Sequence, residues 1–264
     1  MMPACFFAFV ALSVFPGDSS KPGDASKEGA RWLEKTESHL YAWPKPGSLV
    51  HFQVRTNMLE VAIAAMEKDP EVATDPDKGR WVDALKHVSI SGSLDTETGV
   101  VTTNVELRYE PSNPKGKVAS EKMKSSVATM ILNAFQGLPL HDPSLMRKGG
   151  SIVGTEERED TVLVTVTGKE EGERNRIQLN RRTALPESIE MKDFSLRVRY
   201  VEVVPGRFAP ARLDVKSTAG KESHAEYAYQ KAGEIAFPST IRVFQGPQTV
   251  TFSFVSLKVD PRPR

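Results

Sequence analysis

The chain has 264 residues, of which 39% are hydrophobic and 26% charged. That is enough apolar material for one large domain with its own core, and it excludes wholesale disorder. Thirty-five Lys and Arg against 34 Asp and Glu give a formal net charge of +1, so no basic excess points to nucleic acid as a partner. Glycine and proline, at 18 each, exclude collagen-like and low-complexity classes. The single cysteine, Cys5, excludes an internal disulfide and a cysteine zinc site.

Ala4 to Phe15 is the one strongly apolar run. It has the length of a secretory apolar region and falls short of the roughly 20 residues of a membrane span. Small-residue cleavage patterns stand at Ala11-Leu12-Ser13 and Gly17-Asp18-Ser19, although no Lys or Arg precedes the run. Residues 1–20 are therefore read as a signal peptide, residues 21–264 as a single α+β domain, and the location as periplasmic or secreted. Cys5 precedes the apolar run rather than following it, the wrong order for a lipid-modified N-terminus.

The spacing of Trp32, Leu33, Thr36 and Leu40 predicts an amphipathic helix over residues 26–42, ended by Trp43-Pro44-Lys45-Pro46-Gly47. Ser48 to Arg55 alternates Val50, Phe52 and Val54 against Leu49, His51 and Gln53, the pattern of a half-buried strand. Asn57, with Glu60 three residues on, predicts a capped helix start, and Asp69-Pro70 its stop. A hairpin is expected from Val88 to Ser93 and Gly99 to Tyr109, turning at residues 94–98. Asn113-Pro114 opens the longest predicted helix. Its stripe is Met123, Val127, Met130, Ile131, Ala134, Phe135 and Leu138, and Gly137 and Pro139 end it.

From Ser151 onward the chain reads as strand after strand. Thr161–Thr167 and Arg174–Asn180 flank a charged turn, and Phe194, Leu196, Val198 and Tyr200 alternate with Ser195, Arg197 and Arg199. Pro205-Gly206 fits the centre of a type II turn. Val250, Phe252 and Phe254 share one face of the last strand, and Val255, Leu257 and Val259 take the other phase, which predicts a bulge. Helices early and a long antiparallel meander late give an α+β class. The expected form is a curved antiparallel sheet, an unclosed barrel, wrapped around or covered by the helices of the N-terminal half. The strands lack the paired aromatic girdles of a membrane barrel.

Catalytic signatures are missing: there is no phosphate-binding glycine loop, GxSxG, HExxH or CxxC. The five histidines are too scattered for a local metal pair. No catalytic residue, no metal site and no cofactor is assigned, and a non-enzymatic chain is expected. His141-Asp142 is the best isolated polar pair, though followed by Pro143 it also reads as ordinary turn chemistry. Arg197, Arg199 and Arg212 either form a basic patch suited to peripheral membrane contact or pair across strands with Glu187, Glu190, Glu202 and Asp214.

The soft apolar residues stand out most. Trp32, Leu33, Leu40, Met58, Met66, Met123, Val127, Met130, Ile131 and Phe135 on the helices form one set of candidate ligand-cavity residues. Phe194, Leu196, Tyr200, Phe252 and Phe254 on the strands form the other. The same stripes also suit a plain core.

Two segments resemble the LolA-like lipoprotein carriers. They are Arg199-Tyr200-Val201-Glu202 with Gly206-Arg207-Phe208-Ala209-Pro210-Ala211-Arg212-Leu213, and Phe237-Pro238-Ser239-Thr240-Ile241-Arg242-Val243-Phe244 with Thr249-Val250-Thr251-Phe252-Ser253-Phe254. The resemblance covers residues 151–259 in pattern and the earlier part in element order, with 57–87 standing apart as extra helical material. It implies an unclosed barrel with a helical lid over an apolar cavity, and transient binding of an acyl chain or a lipidated protein without chemistry. It carries no residue-specific role and no oligomeric state.

Overall fold

The computed structural model describes residues 24–68, 86–107, 114–136, 150–168, 172–245 and 248–261, with 79, 82, 83 and 138 besides. The apolar leader, the loop holding His141 and Asp142, and most of the charged turn after residue 168 lie outside them.

The first helix, α1, spans Asp24–His39, ending three residues before the expected boundary. The chain leaves helical geometry there because the sheet claims it. Leu40 forms a parallel bridge with Phe208, and the Tyr41 N–H donates to the Phe208 carbonyl at 2.8 Å. The next strand, β1 (Ser48–Thr56), buries Val50, Phe52 and Val54 and exposes His51, Gln53 and Arg55, as its alternation requires. Helix α2 (Met58–Lys68) follows. Asn57 does not cap it: the Asn57 amide donates to the Thr249 carbonyl at 3.0 Å and accepts the Thr251 N–H at 2.8 Å. The Thr56 hydroxyl takes the Met58 N–H instead, at 3.2 Å. A side chain satisfied by a neighbouring strand is lost to the helix end.

Strands β2 (Ser89–Asp95) and β3 (Val101–Glu106) make the expected hairpin, with the second strand shorter than the periodicity suggests. The longest helix, α3, covers Pro114–Gln136 with proline in its first turn. The meander then runs β4 (Ile152–Glu157), β5 (Thr161–Thr167), β6 (Arg174–Asn180), β7 (Pro186–Glu190), β8 (Phe194–Val204) and β9 (Arg207–Ser217). It finishes with β10 (Glu222–Ala232), β11 (Ile235–Gln245) and β12 (Gln248–Pro261).

All twelve strands form one antiparallel sheet, in the order β3-β2-β1-β12-β11-β10-β9-β8-β7-β6-β5-β4. Strands β3 and β4 are its two free edges, so the barrel is unclosed. The register shifts repeatedly, between Ile152 and Gly154, Gln178 and Leu179, Arg199 and Tyr200, and Ala228 and Tyr229. Each such irregularity adds local twist and bends the sheet. The expected bulge in β12 sits opposite His51 and Gln53, where Ser256 takes a φ of 54°. It rotates the strand, so that Val250 before it and Leu257 and Val259 after it all pack on one core.

Topology places α3. It is the element between the two edge strands, so the chain must travel from one lip of the open sheet to the other. Its 23 residues span about 35 Å at the rise of an α-helix. It comes close to the sheet backbone mainly along β3 and meets the rest through side chains.

Candidate functional site

The inner face of the sheet carries two apolar clusters rather than one. The larger lies under α3. Val127, Ile131, Ala134 and Phe135 of the helix meet Phe52, Val54, Phe237, Ile241, Phe252 and Phe254 of the sheet, all buried. Phe52, Phe237 and Phe254 of the sheet form a continuous floor, and Phe135 of the helix rests on it. Phe52 and Phe135 stack at 5.9 Å, and Phe254 meets Phe135 edge-on at 5.1 Å and Phe52 at 5.4 Å. Phe237 closes the group at 5.7 Å from Phe135. Offset and edge-on arrangements of this kind add to the burial of the rings themselves.

The smaller cluster lies under α1, where Leu33 and Leu40 meet Val162, Val164, Val166, Ile177, Leu179, Leu185 and Ile189. Gly29 lets this helix settle close. A side-chain carbon there would stand 2.5 Å from the Thr155 hydroxyl and 2.8 Å from Ile152. The Thr36 hydroxyl, buried in the same face, donates to the Ala184 carbonyl at 2.6 Å.

The candidate cavity residues divide between these clusters. Val127, Ile131, Phe135, Phe252 and Phe254 belong to the larger one, with Met58, Met123 and Met130 packed at its border. Leu33 and Leu40 belong to the smaller, with Trp32 and Tyr200 against it, and Leu196 touches both. Phe194 is half-buried at the start of β8 and joins neither, while the Met66 side chain lies outside the described residues. Trp32 is anchored at the rim, its indole N–H donating to Glu157 at 3.0 Å with the Lys35 ammonium 4.9 Å from its ring centre.

Between the clusters runs a seam along β8, β9 and β10 that the sequence reading left mostly unmarked. Tyr200, Tyr227 and Tyr229 line it. The Tyr229 hydroxyl donates to the Pro210 carbonyl at 2.8 Å, and Pro210 stands opposite Tyr200 in the β8–β9 register. Tyr227 is 5% exposed, and its hydroxyl is buried without a partner among the described residues. Burial pushes all three phenols above their ordinary range, and the neighbouring Tyr227 and Tyr200 rings add to the effect at Tyr229. One end of the seam is capped by the chain leaving α1. Tyr41 accepts the Ala236 N–H at 2.7 Å, and the Trp43 indole donates to the Ala236 carbonyl at 3.2 Å. Burial raises the Tyr41 phenol and the Ala236 hydrogen bond partly offsets it. Alternation of Ala225, Tyr227 and Tyr229 was the signal for the two missed tyrosines. Trp43 sat in a Pro-rich stop that hid its role.

The outer face is polar. A groove of about 510 Å³ opens over β1, β2, β3 and β12, lined by His51, Gln53, Ser91, Ser93, Asn104 and Lys258 among others. His51 pairs with Asp260 at 3.4 Å at its margin. Farther along, Arg212 is held by Asp214 of its own strand at 2.7 Å and by Glu226 across the ladder at 3.2 Å, so part of the expected arginine patch is spent on pairing with carboxylates. Arg197 and Arg199 stand exposed beside it. Among the described residues, no group of three or more His, Cys, Asp or Glu is placed to hold a metal ion. No helix among them is long and apolar enough to cross a membrane.

No protein-family model and no curated protein matches the chain. Among solved structures, the LolA superfamily protein NE2245 from Nitrosomonas europaea is matched over 89% of this chain and 94% of that one, at 11% identity and a TM-score of 0.26. An overlap of that degree assigns neither family nor activity, and the fold stands on the sheet order and the two clusters.

Proposed function

We propose that this chain is an exported, non-enzymatic carrier that holds an apolar ligand, an acyl chain or a lipidated protein, between α3 and the curved sheet. One observation carries the reading: α3 lies along the β3 side of an open sheet, above a floor of phenylalanines from β1, β11 and β12. It meets that floor through side chains, with Met58, Met123 and Met130 around the border. A cover so joined separates from its floor without breaking strand pairing, and methionines adapt to whatever replaces it. The packed interior is then the closed, empty state. The apolar leader of residues 1–20 supports a periplasmic or secreted location, where contact with a membrane surface supplies the ligand.

The test is titration of the chain from residue 21 onward with N-phenyl-1-naphthylamine, an uncharged probe that fluoresces in apolar sites. Saturable binding near one probe per chain, displaced by long acyl chains and not by short ones, is the expected result. Absence of saturable binding overturns the carrier. It favours a second reading, a cell-envelope interaction module with a dry core. The observation behind that alternative is the filled interior, with the 510 Å³ groove on the opposite face as the working surface.

A further inference from the structure

The carrier reading leaves open what kind of amphiphile is held, and the tyrosine seam bears on that. A hydroxyl buried without a partner loses its hydration with nothing in return, so Tyr227 is a donor kept in an apolar interior at the expense of the empty protein. It does not stand alone. Tyr229 lies two residues along the same strand face, tied to the Pro210 carbonyl, and Tyr200 faces Pro210 from β8. Three phenols thus gather where the two clusters meet.

We propose that this seam recognises the linkage carbonyl of an acyl ester or amide, with the Tyr227 hydroxyl donating the hydrogen bond and hydrocarbon extending over the phenylalanine floor. The proposal rests on the carrier reading and narrows its ligand class. Burial keeps the three phenols protonated and neutral through the physiological range, so they offer donors and no charge. The buried polar side chains among the described residues are Thr36, Thr96, Ser120 and Asn175, and none is charged. A free carboxylate brought to the seam would lose its hydration with no cation to offset it. A neutral ester or amide carbonyl bears no such penalty and satisfies the waiting hydroxyl. The selected class is acyl chains already esterified or amidated, as in glycerolipids and lipidated polypeptides, over free fatty acids.

The experiment is displacement of bound N-phenyl-1-naphthylamine from the chain beginning at residue 21. Hexadecanoic acid is compared with its methyl ester on the wild type, Tyr227→Phe and Tyr200→Phe. The wild type is expected to prefer the ester. Tyr227→Phe is expected to weaken the ester by about five- to tenfold relative to the acid, the worth of one hydrogen bond. The melting temperature of empty Tyr227→Phe should equal or exceed that of the wild type, because the variant removes an unpaired buried group. Equal displacement by acid and ester, or an ester affinity indifferent to Tyr227→Phe and Tyr200→Phe, overturns the carbonyl site while the carrier stands. Failure of the wild type to bind the probe overturns the carrier and this site with it.

Discussion

Phe237 has no solvent exposure, and its ring lies 5.8 Å from both Phe52 and Phe254. Truncation there removes the central tile of the floor, and the neighbouring rings are too large to collapse into the gap. Phe237→Ala should lower the unfolding free energy by about 3–5 kcal/mol, read from urea denaturation. A loss under about 1 kcal/mol, the cost of a volume-conserving change, would mean the floor is loosely packed. The buried phenols make a separate statement about pH. Their folded-state ionisation is raised above the ordinary 10.0, so the unfolded chain releases protons that the folded chain keeps. Stability from this source is fully present below pH 10 and is lost as pH rises beyond it, by about 1.4 kcal/mol per pH unit for each such phenol. Denaturation at pH 8, 10 and 11 should show a flat region and then a fall that Tyr227→Phe makes shallower. A stability that holds level from pH 10 to 11 would show the phenols to be solvated. The Arg212 pairs are partly exposed and belong to the class worth about 0–1 kcal/mol, so they fix strand register more than they add stability.

At the scale of the element, α1 and α3 cover the same face of the sheet in different ways. The smaller helix settles close through Gly29 and the hydrogen bond of Thr36 to Ala184. The larger one comes close to the sheet backbone mainly along β3 and otherwise packs through side chains. Hydrogen exchange should therefore find the α3 amides opening at a lower free energy than those of β9 to β12, whose ladders are flanked on both sides. Equal protection of α3 and the central strands would remove the cover from the account. The elements themselves were legible where a single local force decides them. The alternation of β1 and the proline start and stripe of α3 are read correctly because burial on one face writes a period into the chain. Boundaries fail where a distant strand intervenes. Phe208 ends α1 early, and β12 takes the Asn57 amide that the sequence assigns to a helix cap. Neither partner is visible in the local pattern.

The described residues form a twelve-stranded open sheet whose inner face is covered by α3 on the β3 side and by α1 on the β4 side. The class and the curvature were legible, the curvature because the phase change between Phe254 and Leu257 forces the bulge at Ser256. The division of the interior was not. Trp32 and Phe252 look alike as apolar residues on periodic stripes, and only the sheet order puts them in separate clusters. The seam between those clusters then gathers tyrosines from strands that are neighbours in space through β9. The proposed carrier takes up an acyl ligand in the interior under α3. Native mass spectrometry of the exported chain purified from a bacterial periplasm, with lipid extraction of the same sample, tests this uptake. A stoichiometric adduct whose extract contains ester- or amide-linked acyl chains is the expected result. A single unliganded mass, unchanged after incubation with phospholipid vesicles, would contradict it.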